Sequence, residues 1–396
     1  MEIEHLVERL NAADKNSRLD ALRELAQKYK AGEIKQPPFV DNVNNHIHTT
    51  YSFSPYSPTK AVYMAWSSGL ATAGIMDHDS VGGAEEFIEA GKIIGLPVTV
   101  GFECRVSVHG TSLEGKRINN PDQKSVAYLA MHGVPHQMID ETESFLAPYR
   151  AKRNERNRLM LDKLNKYLAP YEIKLDFDLD VLPLSEYASS GSVTERHLLY
   201  ALSSAIAEND LHRYFLLGLF KAQLVKNFYV DAEEELPHIS DFMSLAEKIG
   251  AVPAYPYLGD VGVSATGDKK TQTFEDSYLD ELMEFLAKIG MRAVTYMPAR
   301  NTMEQLKRVM SLCESYGFFQ ISGEDINSPF QKFICEKIET PEFEHLIESA
   351  WALIGHEIAA GQDLTNSMFS KKTMSSMPNL NDRIKQYAEL ARKQVL

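Results

Sequence analysis

The chain has 396 residues, 44% of them apolar and 24% charged, with a formal net charge of -14. Length and apolar content allow a sizeable core, and one large α/β barrel with an insertion fits them. So acidic a balance argues against a general binder of nucleic-acid polymers, which needs basic surface to displace phosphate counterions.

A small phosphorylated substrate stays compatible with that charge, because local metal ions reverse the field that a ligand feels. No window holds 18 consecutive apolar residues, so no membrane span is expected. The first twenty residues are charged and amphipathic, unlike a secretory signal. Cys104, Cys313 and Cys335 show no CxxC spacing and cannot pair completely. A reducing cytoplasm is the expected setting.

Residues 1–38 read as a helical extension. Ile3, Leu6, Val7 and Leu10 share one face, Leu19, Leu22, Leu25 and Tyr29 another, and Gly32 serves as a stop before the linker "EIKQPPF". A strand is expected at about 39–46. Ser57 and Pro58 then start a helix ending near Gly69. "ATAGIMDHD" is a second strand, and Ser80 is expected to cap a helix running to Gly95. "LPVTVGFECRV" and "SVAYLAMHG" are strands three and four. These make up a first barrel part, 39–139.

Residues 140–245 are dense in charge and mostly helical, with one strand-like piece, "YEIKLDFDLDVL". They read as an insertion covering the barrel mouth. Strand patterns resume in a second barrel part, 246–340, with "AVPAYPYLG", "MRAVTYMP" and "FFQISGEDIN", and C-terminal helices fill 341–396. Seven strands joined by long crossovers predict parallel pairing, in a barrel or an open doubly wound sheet.

In such folds chemistry gathers at the carboxyl ends of the strands. Those ends carry His46 and His48, then Asp77, His78 and Asp79, then Glu103, and finally Glu324, Asp325 and Asn327. The period of two puts His46 and His48 on one face, with Ile47 opposite. Imidazole with carboxylate suits Zn, Mn or Fe. Taken singly, each of these residues is as readily a solvated strand end, and "DHD" reads equally well as a helix cap with acids favoured by the helix dipole. The joint placement of acids and histidines on four strands is what points to a metal.

These stretches resemble the PHP family, the polymerase-and-histidinol-phosphatase domain. "HIHTTYS" resembles its HxH motif, "IMDHDSVGG" its TDH motif, "VGFEC" its G-x-E motif and "SGEDIN" its terminal GSDxH motif. "VTERHLLYAL" and "YRAKRNERNRLMLDKLN" resemble insertion segments of the nucleotide-phosphatase branch. The resemblance implies a distorted seven-stranded (βα)7 TIM-like barrel, up to three divalent metals and phosphate-ester hydrolysis. The sequence departs from the family at Phe53, where an acid is usual, at Tyr128 (with His132 nearby), at Tyr255 of the usual His-Pro, and at Asn327 in place of the last histidine.

What matches corresponds to one complete site, His46, His48, Glu103 and Asp325, while His78 survives from another. One tightly bound divalent ion (Mn, Zn or Fe) is therefore implied, with a second near His78 as the alternative count. The leading functional expectation is a phosphoesterase acting on a small phosphorylated metabolite or nucleotide through metal-activated water. Asp77 is expected to orient an imidazole, with His78 and His197 as further catalytic candidates and Arg196 and Arg300 as phosphate holders. The alternative is a degenerate member of the fold that binds metal or ligand without turnover; another metal-assisted chemistry, such as a lyase, is a weaker one.

Overall fold

The computed structural model describes residues 2–35, 37, 40–260 and 274–395. Of the expected linker, Gln36, Pro38 and Phe39 lie outside the described residues, as does the expected start of the first strand at residue 39. The single helix expected over 1–32 is two, α1 (Glu2–Arg9) and α2 (Lys15–Lys30). The break has a local cause: the Asp14 carboxylate accepts a hydrogen bond from Ser17 N at 2.7 Å and starts α2 afresh.

Seven strands follow in one sheet: β1 (Val43–Ile47), β2 (Thr72–His78), β3 (Val98–Ser107), β4 (Val126–His132), β5 (Val252–Pro256), β6 (Ala293–Tyr296) and β7 (Phe319–Ser322). Their spatial order is their sequence order. α3 (Pro58–Ser67) and α4 (Ala84–Ile94) cross between the first three strands. Ser57 caps α3 by accepting from Lys60 N. Ser80 does not cap α4. Its hydroxyl donates to Ser190 O at 2.7 Å, and Gly83 takes the cap position.

All-parallel pairing is corrected at β4, which runs antiparallel to both β3 and β5. The link from β3 to β4, residues 108–125, contains turns and no helix, so the chain folds straight back. The other neighbouring pairs are parallel. The seam between β1 and β7 is nearly closed by the segment after β7. Ile326 bridges Ile47, with His48 N donating to Ile326 O at 2.9 Å and Ile326 N to His46 O at 3.1 Å.

The region after β4 opens with α5 (Ile139–Leu168), followed by α6 (Glu195–Ser204) and α7 (Asp210–Phe228). These helices share an apolar cluster of their own, including Met160, Leu164, Leu198, Leu202, Leu217 and Phe228, and Phe53 from the barrel joins it. The strand-like "YEIKLDFDLDVL" becomes a short π-helical turn, Phe177–Val181. Asp176 accepts from Asp178 N and Leu179 N there and overrides the alternation. The expected boundary at 245–246 falls inside α8 (Ile239–Ile249), whose Phe242 and Ile249 are buried in the barrel core.

α9 (Leu279–Lys288) and α10 (Met303–Tyr316) complete the outer layer. α11 (Glu344–Gln362), α12 (Lys371–Ser376) and α13 (Leu380–Val395) follow. α11 packs its apolar length against strand residues such as Val43, Ala254 and Ile321. Gly355 permits the α11–α13 crossing: a Cβ there would lie 1.8 Å from the Tyr387 carbonyl oxygen. Among the described residues no helix is long and apolar enough to cross a membrane.

Candidate metal centre

The seam builds the site. Because Ile326 pairs beside β1, Asp325 comes against His48, and Gly323 makes the approach possible. A Cβ on Gly323 would lie 2.6 Å from both His46 Cβ and His46 N. His46 of β1 and His48, the residue just past its end, bring their Nε2 atoms to 3.2 Å from one another. Glu103 arrives from β3, in register with His78 of β2. Its Oε1 lies 3.5 Å from His46 Nε2, 3.4 Å from His48 Nε2 and 3.1 Å from His78 Nδ1. Asp325 Oδ1 is 3.2 Å from His48 Nε2. His46, His48 and Glu103 form the compact donor group, and Asp325 approaches from the more exposed rim.

These spacings suit a cation. Ligands bound at about 2.0–2.1 Å in a tetrahedral shell stand about 3.3 Å apart. The tautomer suits it too. Ser52 has one hydroxyl proton and donates it to Asp77 Oδ1 at 2.7 Å, so at 3.2 Å from His48 Nδ1 it accepts the imidazole N–H. That leaves a lone pair on His48 Nε2, the atom facing the other donors. Asp77 is itself fixed by Thr49, whose N and Oγ1 donate at 2.7 and 2.6 Å. Asp77 thus orients an imidazole, that of His48, through Ser52. Sequence reasoning passed over Ser52, although it sits in the quoted "TTYS" turn.

Burial raises the Glu103 carboxyl, but the imidazoles of His78, His46 and His48 outweigh it and hold the pKa down at about 2. Burial lowers His78 to about 4 against the pull of Glu103, so it is neutral near pH 7. Burial likewise lowers His132 to about 3; it lies close enough to feel the charge of His46 and Glu103, and its Nε2 has no hydrogen-bond partner among the described residues.

The remaining positions have other commitments. Tyr255 donates its hydroxyl to Glu275 at 2.5 Å. Phe53 packs edge-on to His197 with ring centroids 5.0 Å apart. His197 is not brought to the cluster. It is buried in the insertion, where Nδ1 accepts from Thr194 N at 2.9 Å and caps α6. Arg196, its neighbour, does reach the site: Nη1 donates to Asn327 Oδ1 at 2.7 Å, and Asn327 Nδ2 donates to Asp325 Oδ1 at 2.5 Å. Arg300 donates from Nε to Leu258 O at 3.2 Å, while its buried Nη2 has no partner among the described residues.

The cluster opens into a chamber of about 550 Å³ lined by His46, His78, Glu103, Arg196, Arg300 and Asp325, among others. The insertion is anchored beside it by buried charge. Asp79 pairs with Arg153 of α5, which also meets Glu195 at 3.2 Å, and Glu235 pairs with Arg105 and Arg156. The three residues of "DHD" therefore divide their tasks: Asp77 positions His48, His78 joins the cluster and Asp79 holds the insertion.

No protein-family model matches the chain. A 5′-3′ exoribonuclease of Haemophilus influenzae is 31% identical over 68 residues, 17% of this chain and 25% of the relative. The chain thus spans about a quarter of the length of that curated relative. Among solved structures, a protein of Bifidobacterium adolescentis described as a metal-dependent phosphoesterase superposes with a TM-score of 0.56 at 18% identity, covering 80% of this chain and 98% of that one. An amidohydrolase of Chromobacterium violaceum, with sulfate and no metal bound, gives 0.58 at 18% identity, covering 78% and 96%. These likenesses show the fold, a mixed seven-stranded, nearly closed barrel with helices outside it.

Proposed function

We propose that this protein is a metal-dependent phosphoesterase acting on a small phosphorylated metabolite or nucleotide. The observation that carries the reading is the convergence of His46, His48, Glu103 and Asp325 beside a chamber that His46, Glu103, Asp325, Arg196 and Arg300 line. A divalent ion held by the four donors supplies the Lewis acid that polarises a phosphoryl oxygen and makes water a usable nucleophile near neutral pH. Arg300 offers a guanidinium nitrogen with no partner among the described residues, and Arg196 also lines the chamber; a guanidinium fork matches phosphate oxygens. Neutral His78 stands against Glu103, placed to accept or hand on a proton at its free nitrogen. The phosphoesterase likeness in fold and the short exoribonuclease match both support phosphoester chemistry. Three free, buried thiols support a cytoplasmic setting.

One observation favours a second reading, ligand binding without turnover: Tyr255 and Asn327 are committed to Glu275 and Arg196 instead of to a further ion. The deciding experiment loads the purified chain with Mn(II), Zn(II) or Fe(II) and follows inorganic phosphate release from a panel of monoesters, with His48→Ala as control. Release that needs both the ion and His48 supports the phosphoesterase. A loaded chain that releases none from any ester leaves the binding protein.

A further inference from the structure

Two cavities meet at the barrel mouth, and His46 and Glu103 of the cluster line only one of them, while Asp325 lines both. The other, an outer groove of about 890 Å³, runs between α7 and residues 324–337. The groove and the chamber share Arg196, Arg300, Asp325 and Asn327 in their walls, so the Arg196–Asn327 hydrogen bond stands at their junction. α7 is apolar on two sides. One side builds the insertion core with Leu217 and Phe228. The other presents Phe215 and Leu219, a helical turn apart, to the groove, at 59% and 42% exposure. Phe330 lines the same groove from the segment after β7 and is 60% exposed.

Single exposed apolar residues need no explanation, but two large aromatic rings in one concave space joined to a catalytic chamber do. The charge is also informative. The groove lining carries five basic and three acidic side chains, in a chain whose net charge is -14. Aromatic rings beside cationic side chains suit a planar, electron-rich ring attached to an anion. The continuity of the two spaces sets where that anion goes.

We propose that the outer groove is a second binding subsite, which holds a planar aromatic ring carried by the same ester whose phosphoryl group occupies the metal chamber. Phe215 and Phe330 supply the ring contacts, and the substrate class narrows to phosphorylated nucleosides or similar ring-bearing esters. The inference rests on the phosphoesterase reading for what fills the chamber.

The test uses the full chain loaded with Mn(II) and calorimetric binding of two probes, the 5′-methylenephosphonate analogues of adenosine and of ribose, which offer no ester bond to cleave. The adenosine analogue is expected to bind at least about tenfold tighter, the scale of one aromatic stacking contact. Phe330→Ala and Phe215→Ala are each expected to cut that ratio severalfold, and Phe330→Trp to keep it. Both rings are exposed, so neither change threatens folding. Equal affinities in the wild type, no binding of either probe, or a ratio that survives both alanine variants overturns the subsite. Turnover is read separately on adenosine 5′-monophosphate and ribose 5-phosphate. A chain with the ring preference that hydrolyses neither removes the hydrolase reading and keeps the subsite. One that hydrolyses both without preference does the reverse.

Discussion

At the scale of single residues, the site depends on which nitrogen of His48 carries its proton. Asp77 accepts a hydrogen bond from the Ser52 hydroxyl, Ser52 accepts one from His48 Nδ1–H, and Nε2 keeps the lone pair that can bind a cation. His48→Ala removes a ligand outright and is expected to abolish tight metal binding. Ser52→Ala leaves every ligand in place but frees the ring and its tautomer, and groups that orient metal-binding imidazoles typically contribute 10–100-fold to metal affinity. A competition titration against a chelating dye should show Zn(II) or Mn(II) affinity down by about that factor. An unchanged affinity in the Ser52 variant sinks the relay. Arg196→Ala makes a different prediction. Its guanidinium reaches Asp325 only through Asn327. Bound metal should stay near one equivalent, while KM for phosphate esters rises on the order of tenfold or more through loss of a charged phosphate contact. Metal loss comparable to that in His48→Ala places Arg196 in support of the ligands instead.

At the scale of elements, two polar devices hold helices to the barrel. The first is Asp79–Arg153, buried on both sides, which fastens α5 beside β2. Removing one partner leaves the other charge buried alone, which typically costs about 3–5 kcal/mol. Arg153→Ala should therefore lower the urea midpoint and speed proteolysis within 140–230; an unaltered proteolysis pattern contradicts the anchoring role. The second is His356 of α11, whose Nε2 bonds to Gly133 O at 3.0 Å while Nδ1 accepts from Met368 N at 3.0 Å. Burial lowers its pKa from the ordinary 6.5 to about 4. The depressed value fixes the sign: the stability contribution is full above about pH 6.5 and is lost as pH falls through about 4, by about 1.4 kcal/mol per unit in that window. Urea unfolding at pH 7 and pH 5 should show wild type losing more stability on acidification than His356→Gln. Equal losses refute the assignment.

The same scale shows what the sequence made legible. All seven strands were readable, because most are apolar runs bounded by turn residues, and so was the common face of His46 and His48, because alternation requires it. The direction of β4 was hidden in the absence of a helix between residues 108 and 125, which length alone did not reveal. The place of His197 was hidden because a histidine at the third position of a helix caps its first turn as naturally as it serves a site. Ser52 and Arg153 act through partners distant in sequence, Asp77 and Asp79, and no local pattern announces such pairs.

For the whole molecule, the question is how many ions the fold holds. Charge and donor count argue for one tight site. Glu103 and Asp325 bring two negative charges to balance a divalent cation, and two imidazoles complete four donors. Three other positions where the resemblance places donors are occupied otherwise: Phe53 in the insertion core, Tyr255 on Glu275, Asn327 between Arg196 and Asp325. His78 shares Oε1 of Glu103 with the first site and lacks a carboxylate of its own, so a second ion there would be weakly held. Elemental analysis after exhaustive dialysis should find close to one equivalent of Mn, Zn or Fe per chain; three at full occupancy contradicts the count. Because the candidate donors come from β1 and the residue after it, β3 and the segment after β7, an ion bound there would tie together the seam that the Ile47–Ile326 bridge closes. Binding to the folded chain alone stabilises by mass action, about 2.7 kcal/mol at a free concentration one hundred times Kd. The midpoint of thermal unfolding should rise with metal concentration in the wild type and stay flat in His48→Ala. A rise of equal size in both would put the ion somewhere other than at this seam.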